Sequence, residues 1–454
     1  MLPNLVPDMQ LAERLFDTLR ERTADVVGVT REAYGAGEEV AHAIVRDEAA
    51  ALGLEMHNDH AGNLYMTLPG ADRTAKRVMV GSHLDSVPRG GNYDGAAGVV
   101  AGLAAVAGMC RAGYVPARDI TVMATRAEEG GAWFAAGYPG ARAALGILPA
   151  EILQTTRRDT GRSLADHMRD LGYDPDAVRA GRRELGPDNV AAFLELHIEQ
   201  GPLLDSEQIP LGIVTALPGN RRHRDATVRG EWNHSGATPR AWRRDAVIAA
   251  AELAHRLDQA WAELDAEGRR MVCTFCTFNT HEHASMAKIA GEVRFGLDIR
   301  SPDQATIDEM YIRLDAIIAD VEQRRGVRVD LGPATRTSPT VMDPGVQAGL
   351  ARAADGLGIA YRSMPSGGGH DTSAFVQAGV PAGMLFVRNQ NGSHNPDEAL
   401  RMEDFALACA VVSQWAVQAA GEEEVVVLGG GEAGDQGSGG GVVGAGGKDR
   451  GAED

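Results

Sequence analysis

The sequence has little cysteine: four residues in 454, at Cys110, Cys273, Cys276 and Cys409. So few thiols exclude a disulfide scaffold in a chain of this length and fit a reducing compartment. Cys273 and Cys276 form a single CxxC, but a zinc ribbon needs a second pair, and the stretch MVCTFCTF reads more simply as a strand. Basic residues are also in deficit, with 44 Lys and Arg against 63 Asp and Glu and a net charge of −19. That balance argues against nucleic-acid binding, which needs a basic surface to meet phosphates. It leaves room for a local basic pocket that takes an anionic substrate. No apolar run is long enough to span a bilayer, and the Ala/Val-rich run near 95–110 is broken by glycines, as in a buried helix. The opening MLPNLVPDMQLAERL lacks a basic segment followed by an apolar one, so neither a signal peptide nor a membrane partner is expected, and a cytoplasmic location is. No short-period repeat is present.

What the chain does contain is a βαβ rhythm. Short apolar runs at Val78–Gly81, Ile120–Thr125 and Ala191–Leu196 are bounded by polar or turn residues and read as buried strands, with a helix from Ala96 to Met109 between the first two. This predicts an α/β unit with a largely parallel sheet. The character changes around Ile209–Val214. Strand-like Ala226–Trp232, a helix from Asp245 to Leu264, strand-like Val272–Phe278 and Val293–Ile299, and a helix from Gln304 to Arg324 then suggest an α+β sandwich. From about Leu331 the α/β pattern returns. The second unit therefore reads as an insertion in the first. The expected division is residues 1–212 and 331–420 for the catalytic domain and 213–330 for the insertion, with a disordered Gly-rich tail over 421–454.

Four predicted strands run into groups that can bind metal. The first leads into GSHLDSVPRGGNYDG with His83, Asp85 and Asp94, and the second into TRAEEGG with Glu128 and Glu129. The third leads into ELHIEQGP with His197, and the fourth, Ala382–Val387, into RNQNGSHNPDE with His394. Ligands of open α/β sheets gather beyond the carboxyl ends of the strands, so the four segments are expected at one edge. Imidazole and carboxylate together suit zinc, manganese, cobalt or nickel. A bridging carboxylate can hold two such cations over one water, and a carboxylate that is not a ligand can take the water's proton. Each cluster alone is weak, since single His and paired Glu are commonly structural or solvated. Their coincidence after four apolar strands is what points to a metal site.

The motifs GSHLDSVPRGGNYDGAAGV, AEEGGAWF, LELHIEQGP, HSGATPR, EVRFGLDIRS, GGGHDTSAF and SHNPDE span roughly 80 to 400. Through them the chain resembles the co-catalytic metallohydrolases of the aminoacylase and carboxypeptidase type. Within that family it resembles the branch of N-carbamoyl-L-amino-acid hydrolases, ureidopropionases and allantoate amidohydrolases. The resemblance implies a three-layer catalytic domain with a mixed, mostly parallel sheet and an inserted ferredoxin-like lid and dimerisation domain. It implies two divalent ions (zinc, manganese, cobalt or nickel), with Asp94 bridging, His83 and His197 on one ion, and Glu129 and His394 on the other. Glu128 would be the general base and later acid, and Asp85 would orient His83. A homodimer is implied, with His234 reaching the partner's site to stabilise an oxyanion, and Arg300 pairing with the substrate carboxylate. Gln200 and His370 are further candidates for substrate contact, although no firm role attaches to His370 or Asp371. The expected reaction is hydrolysis of an N-carbamoyl-L-amino acid. Alternatives are allantoate or ureidoglycolate, N-acyl amino-acid or peptide hydrolysis, and a non-catalytic binding protein on the same fold. The chain departs from the family's pattern in the insertion: Ala287 stands where a substrate-contacting Asn is usual, Arg240 where many relatives have Met, and GNRRHR replaces a more aromatic stretch. Asn279 or His283 could stand in for that Asn.

Overall fold

The computed structural model describes residues 5–421, so the tail expectation from 422 onward lies outside the described residues. In chain order the first strands are β1 (Glu55–Asn58), β2 (Leu64–Leu68), β3 (Arg77–His83), β4 (Ile120–Thr125), β5 (Val190–Ile198) and β6 (Leu211–Val214). The chain then builds β7 (Gly219–Arg229), β8 (Val272–Thr280), β9 (Glu292–Ser301), β10 (Arg328–Asp330) and β11 (Ala334–Thr337), before β12 (Tyr361–Met364) and β13 (Ala382–Val387). Strands β1–β6, β12 and β13 form one sheet in the order β1-β2-β4-β3-β5-β13-β6-β12. Its centre, β4-β3-β5-β13, is parallel, while β2 and β6 run antiparallel to their central neighbours. The fold is thus mixed α/β with a large, mostly parallel sheet.

Parallel central strands are covered on both faces, so they must be apolar throughout. Strands β4 and β13 are buried at every residue. The helix Ala96–Arg111 buries fourteen consecutive residues, Ala96 to Met109, and lies against β3 and β5. Its small side chains make that approach possible: a Cβ at Gly98 would stand 2.3 Å from the Leu196 carbonyl oxygen. Among the described residues no helix is long and apolar enough to cross a membrane.

Strands β7–β11 form a second, antiparallel sheet in the order β8-β9-β7-β10, with β11 also on β7. One face carries Val293, Phe295, Leu297 and Ile299 into a core with the helices Ala246–Ala266 and Gln304–Arg325. Asp245 and Asp303 cap these helices by accepting hydrogen bonds from first-turn amides. Cys273 and Cys276 lie within β8 and are free thiols. The expected strand Ala226–Trp232 is in fact Gly219–Arg229. Its length is set by its partner β9, whose ladder runs from Ser301 opposite Gly219 to Glu292 opposite Arg229. The polar run RRHR sits inside that ladder, where hydropathy gives no strand signal.

Candidate metal centre and active site

The parallel centre of the large sheet brings the chemistry together. His83 ends β3, His197 lies near the end of β5, Asp94 and the Glu128–Glu129 pair follow β3 and β4, and His394 follows β13. Two groups form around Asp94: His83, Asp94 and His197, and Asp94, Glu129 and His394. Asp94 Oδ1 lies 3.5 Å from His83 Nε2 and 3.1 Å from His197 Nε2. Asp94 Oδ2 lies 3.4 Å from His394 Nε2, which is 2.9 Å from Glu129 Oε1. The His83 and His197 side chains are at most 1% exposed, whereas His394 is 50% exposed, so the pair of triads runs from the core to an open cleft.

The donor set fits two cations. The Nδ1 atoms of His83 and His197 face the backbone carbonyls of Asp85 (3.0 Å) and Ile198 (2.9 Å). Those contacts leave both Nε2 lone pairs to converge on the centre. Asp94 Oδ1 is buried and accepts no well-formed hydrogen bond, an orphaned anionic oxygen between two imidazoles. Burial alone would raise the Asp94 carboxyl, yet the facing imidazoles, His197 first, hold it well below the usual range. Gly95 is required beside this cluster: its φ is +66°, and a Cβ there would stand 2.4 Å from the His83 ring.

Glu128 lies next to the triads, with Oε2 3.8 Å from His83 Nε2. Burial holds its carboxyl well above the ordinary range; the charges of Glu129, Asp371 and Asp85 add to the effect and His83 opposes it. Asp85 does more than face His83 at 3.3 Å. Its two oxygens accept the Glu128 and Glu129 amides, each at 3.0 Å, and so fix the backbone that presents both carboxylates. Asp85→Ala is therefore expected to weaken divalent-ion affinity and kcat by about 10- to 100-fold each. Unchanged ion stoichiometry and affinity in calorimetric titration would overturn that expectation.

The other expected residues are dispersed. Gln200, at φ +64°, donates to Asp94 Oδ2 at 2.8 Å and so touches the centre itself. His370 is buried behind His197, ring centroids 4.4 Å apart, with Nε2 3.1 Å from Ser366 Oγ, and does not line the cleft. Asp371, raised by burial to about 8, hydrogen-bonds Thr125 beneath the centre. Arg300 lies on the second sheet and donates from Nε to Asp298 Oδ2 at 2.9 Å. His234 is exposed; its Nδ1 accepts the Gly236 and Ala237 amides at 3.1 Å, and it does not line the cleft of its own chain. Ala287, Asn279, His283 and Arg240 are exposed and lie outside the cleft lining as well.

Sequence reasoning passed over Glu398 and Ser393. Glu398 Oε1 accepts the amides of Tyr93 (2.8 Å) and Asp94 (3.1 Å), and Ser393 donates to Asp94 or Glu398, 2.6 Å from each. Both lie in SHNPDE, and an acidic residue four after a ligand-type His was the available signal. The centre opens into a cavity of about 610 Å³ whose wall includes Glu128, Glu129, His197, Gln200 and His394 from the large sheet side and Arg222, Asp298 and Arg300 from the second sheet.

Known proteins resemble the chain along most of its length. The profile of peptidase family M20/M25/M40 matches residues 79–418. The N-carbamoyl-L-amino-acid amidohydrolase of Paenarthrobacter aurescens is 33% identical over 410 residues, covering 88% of this chain and 96% of that protein. The allantoate amidohydrolase of Bacillus subtilis is 32% identical over 372 residues, covering 82% and 88% respectively. An amidase of the hydantoinase/carbamoylase family from Burkholderia multivorans superposes with a TM-score of 0.83 at 28% identity, covering 92% of this chain and 99% of that one.

Proposed function

The chain belongs to peptidase family M20/M25/M40, and on that premise we propose that it hydrolyses an amide or ureido C–N bond of a small carboxylate-bearing substrate. The reading favoured is an N-carbamoyl-L-amino acid, which with one water yields the amino acid, carbon dioxide and ammonia. The observation that carries it is the pair of triads sharing Asp94, with Glu128 beside them and Arg300 across one cavity. The relatives named above act on N-carbamoyl amino acids and on allantoate. The comparable identity of the Bacillus allantoate enzyme keeps allantoate, and with it ureidoglycolate, as the second reading.

His83, Asp94 and His197 would hold one divalent ion, and Asp94, Glu129 and His394 the other. Zinc, manganese, cobalt and nickel all suit imidazole and carboxylate donors. When bound, such ions supply Lewis acidity towards a water and the attacked carbonyl. Glu128 then takes the proton from the attacking water and returns it to the leaving nitrogen. Asp85 keeps the Glu128–Glu129 backbone in place, and Arg300 receives the substrate carboxylate as a bidentate donor. His234, whose Nε2 has no hydrogen-bond partner among the described residues and whose ring stays outside its own cleft, suits the role of an oxyanion donor to a partner subunit. That role makes the enzyme a homodimer, joined through residues 213–330 acting as lid and dimerisation domain over the catalytic residues 1–212 and 331–420. A cytoplasmic location belongs to the same reading, as do the absences of nucleic-acid and membrane partners.

The test is ammonia release by manganese- or zinc-loaded protein on N-carbamoyl-L-amino acids, allantoate, ureidoglycolate and an N-acetyl amino acid, with a chelated control. Chelator-sensitive ammonia from a ureido compound is the expected result. Cleavage of the N-acetyl compound alone would replace the reading with an aminoacylase. Failure to bind any divalent ion would leave a non-catalytic binding protein.

A further inference from the structure

The segment Gly219–Arg224, GNRRHR, opens β7 and places three arginines on the second sheet. Strand alternation separates them. Arg221 turns to the helical face, where its guanidinium lies 3.7 Å from the centroid of the Tyr311 ring. Arg222 faces the cleft and donates from Nε to Asp298 Oδ2 at 2.9 Å, the same oxygen that accepts from Arg300. Two guanidinium groups thus share one carboxylate oxygen. Arg224 also lines the cleft, is exposed, and has no ion-pair partner among the described residues.

The cleft continues into a second cavity of about 400 Å³ that shares Tyr138, Arg222, Arg224 and Arg300 with the first. Arg142 completes its cationic wall, hydroxyls such as Thr335, Thr337 and Ser373 supply neutral donors, and no carboxylate among the described residues lines it. In a chain of net charge −19, this is a concentrated positive chamber in which Asp298, from the adjoining cavity, offsets only part of the charge of Arg222 and Arg300. A single substrate carboxylate on Arg300 leaves Arg224 without an anion, and leaves Arg222 with only the Asp298 carboxylate that it shares with Arg300. Low-dielectric walls focus such a field on whatever enters.

We infer that the cleft selects a substrate with a second anionic group, so that the ureido acid hydrolysed is one with an acidic side chain. The inference rests on the amidohydrolase reading above. Arg300 takes the α-carboxylate, and Arg222, Arg224 and Arg142 take the second anion in the adjoining chamber. Charge-assisted hydrogen bonds from guanidinium suit either a carboxylate or a phosphate there.

Isosteric pairs test it. N-carbamoyl-L-glutamate and N-carbamoyl-L-glutamine differ in charge while keeping size, and N-carbamoyl-O-phospho-L-serine separates phosphate from carboxylate. The expected kcat/KM for the acidic member exceeds that of its amide by about 10- to 100-fold, and the preference shrinks as salt rises. In Arg224→Ala the ratio falls towards one; that exposed, unpaired side chain is removed without touching a core. A preference for the phosphate compound over the glutamate compound would assign the chamber to phosphate. Acidic and amide compounds within twofold of each other, or a ratio unmoved in both Arg224→Ala and Arg222→Ala, would overturn the inference. Calorimetric binding of the same compounds to Glu128→Gln reads the preference without turnover. Absence of ammonia from every compound would therefore count against the amidohydrolase reading, while the binding ratio still decides the acidic preference.

Discussion

Glu128→Gln is expected to hold the same two divalent ions as the wild type and to lose about 10²- to 10⁴-fold in kcat. The substitution is nearly isosteric. It leaves untouched the Glu128 amide bond to Asp85 Oδ1 and all five groups of the two triads. What disappears is a cleft-lining carboxylate beside the triads that is a member of neither. KM is expected to change far less than kcat, because in the proposed mechanism Glu128 would act on the water and the leaving nitrogen and Arg300 on the substrate carboxylate. The acid limb of the wild-type pH–rate profile should also vanish from the residual activity, since Gln has no proton to lose. Steady-state kinetics with parallel metal analysis check this. A variant with two ions and wild-type kcat would remove Glu128 from the base role, and a variant that had lost an ion would make it a ligand.

Glu38→Ala is expected to cost about 3–5 kcal/mol of stability, because it strands a buried charge. Glu38 and Arg126 are both fully buried and pair at 3.1 Å. Glu38 also accepts the Tyr34 amide at 2.7 Å and the Ala127 amide at 2.9 Å. Arg126 donates to the Gly62 carbonyl and Tyr173 hydroxyl, and Glu39 is its other ion-pair partner, 33% exposed. Without Glu38 the guanidinium keeps only that half-open partner, and two amides lose their acceptor. Because Ala127 directly precedes Glu128, activity should fall along with the urea midpoint. Glu38→Gln, which keeps one acceptor oxygen, should fall between. A midpoint shift equivalent to less than about 1 kcal/mol would show that the pair contributes little beyond its desolvation cost.

Much of the catalytic sheet was readable because its centre is parallel and covered. Strands β4 and β13 have no exposed residue, so burial wrote unbroken apolar runs into Ile120–Thr125 and Ala382–Val387, and both expected ranges match the observed strands residue for residue. The second sheet was less legible at β7. One of its faces looks into the cleft and carries arginines, so its first half resembles a surface loop in hydropathy while hydrogen-bonding as a strand.

The sequence by itself determined which residue types end or follow each strand: His83 and His197 close apolar runs, and Asp94, Glu128, Glu129 and His394 stand in polar connections after them. It could do so because strand periodicity and the side-chain chemistry of metal binding are local properties. Tertiary structure alone decided who meets whom. The strand order places β3 between β4 and β5, with β13 on the other side of β5, and so draws connections as far apart as Asp94 and His394 into contact. It seats Glu398 under the Asp94 amide from 304 residues away, Asp85 under the Glu128 and Glu129 amides, and Glu38 against Arg126. It also turns Arg222 to the cleft and Arg221 to the helices. Each is a long-range contact or facing choice fixed by packing and strand register, and neither composition nor short-range periodicity carries that information.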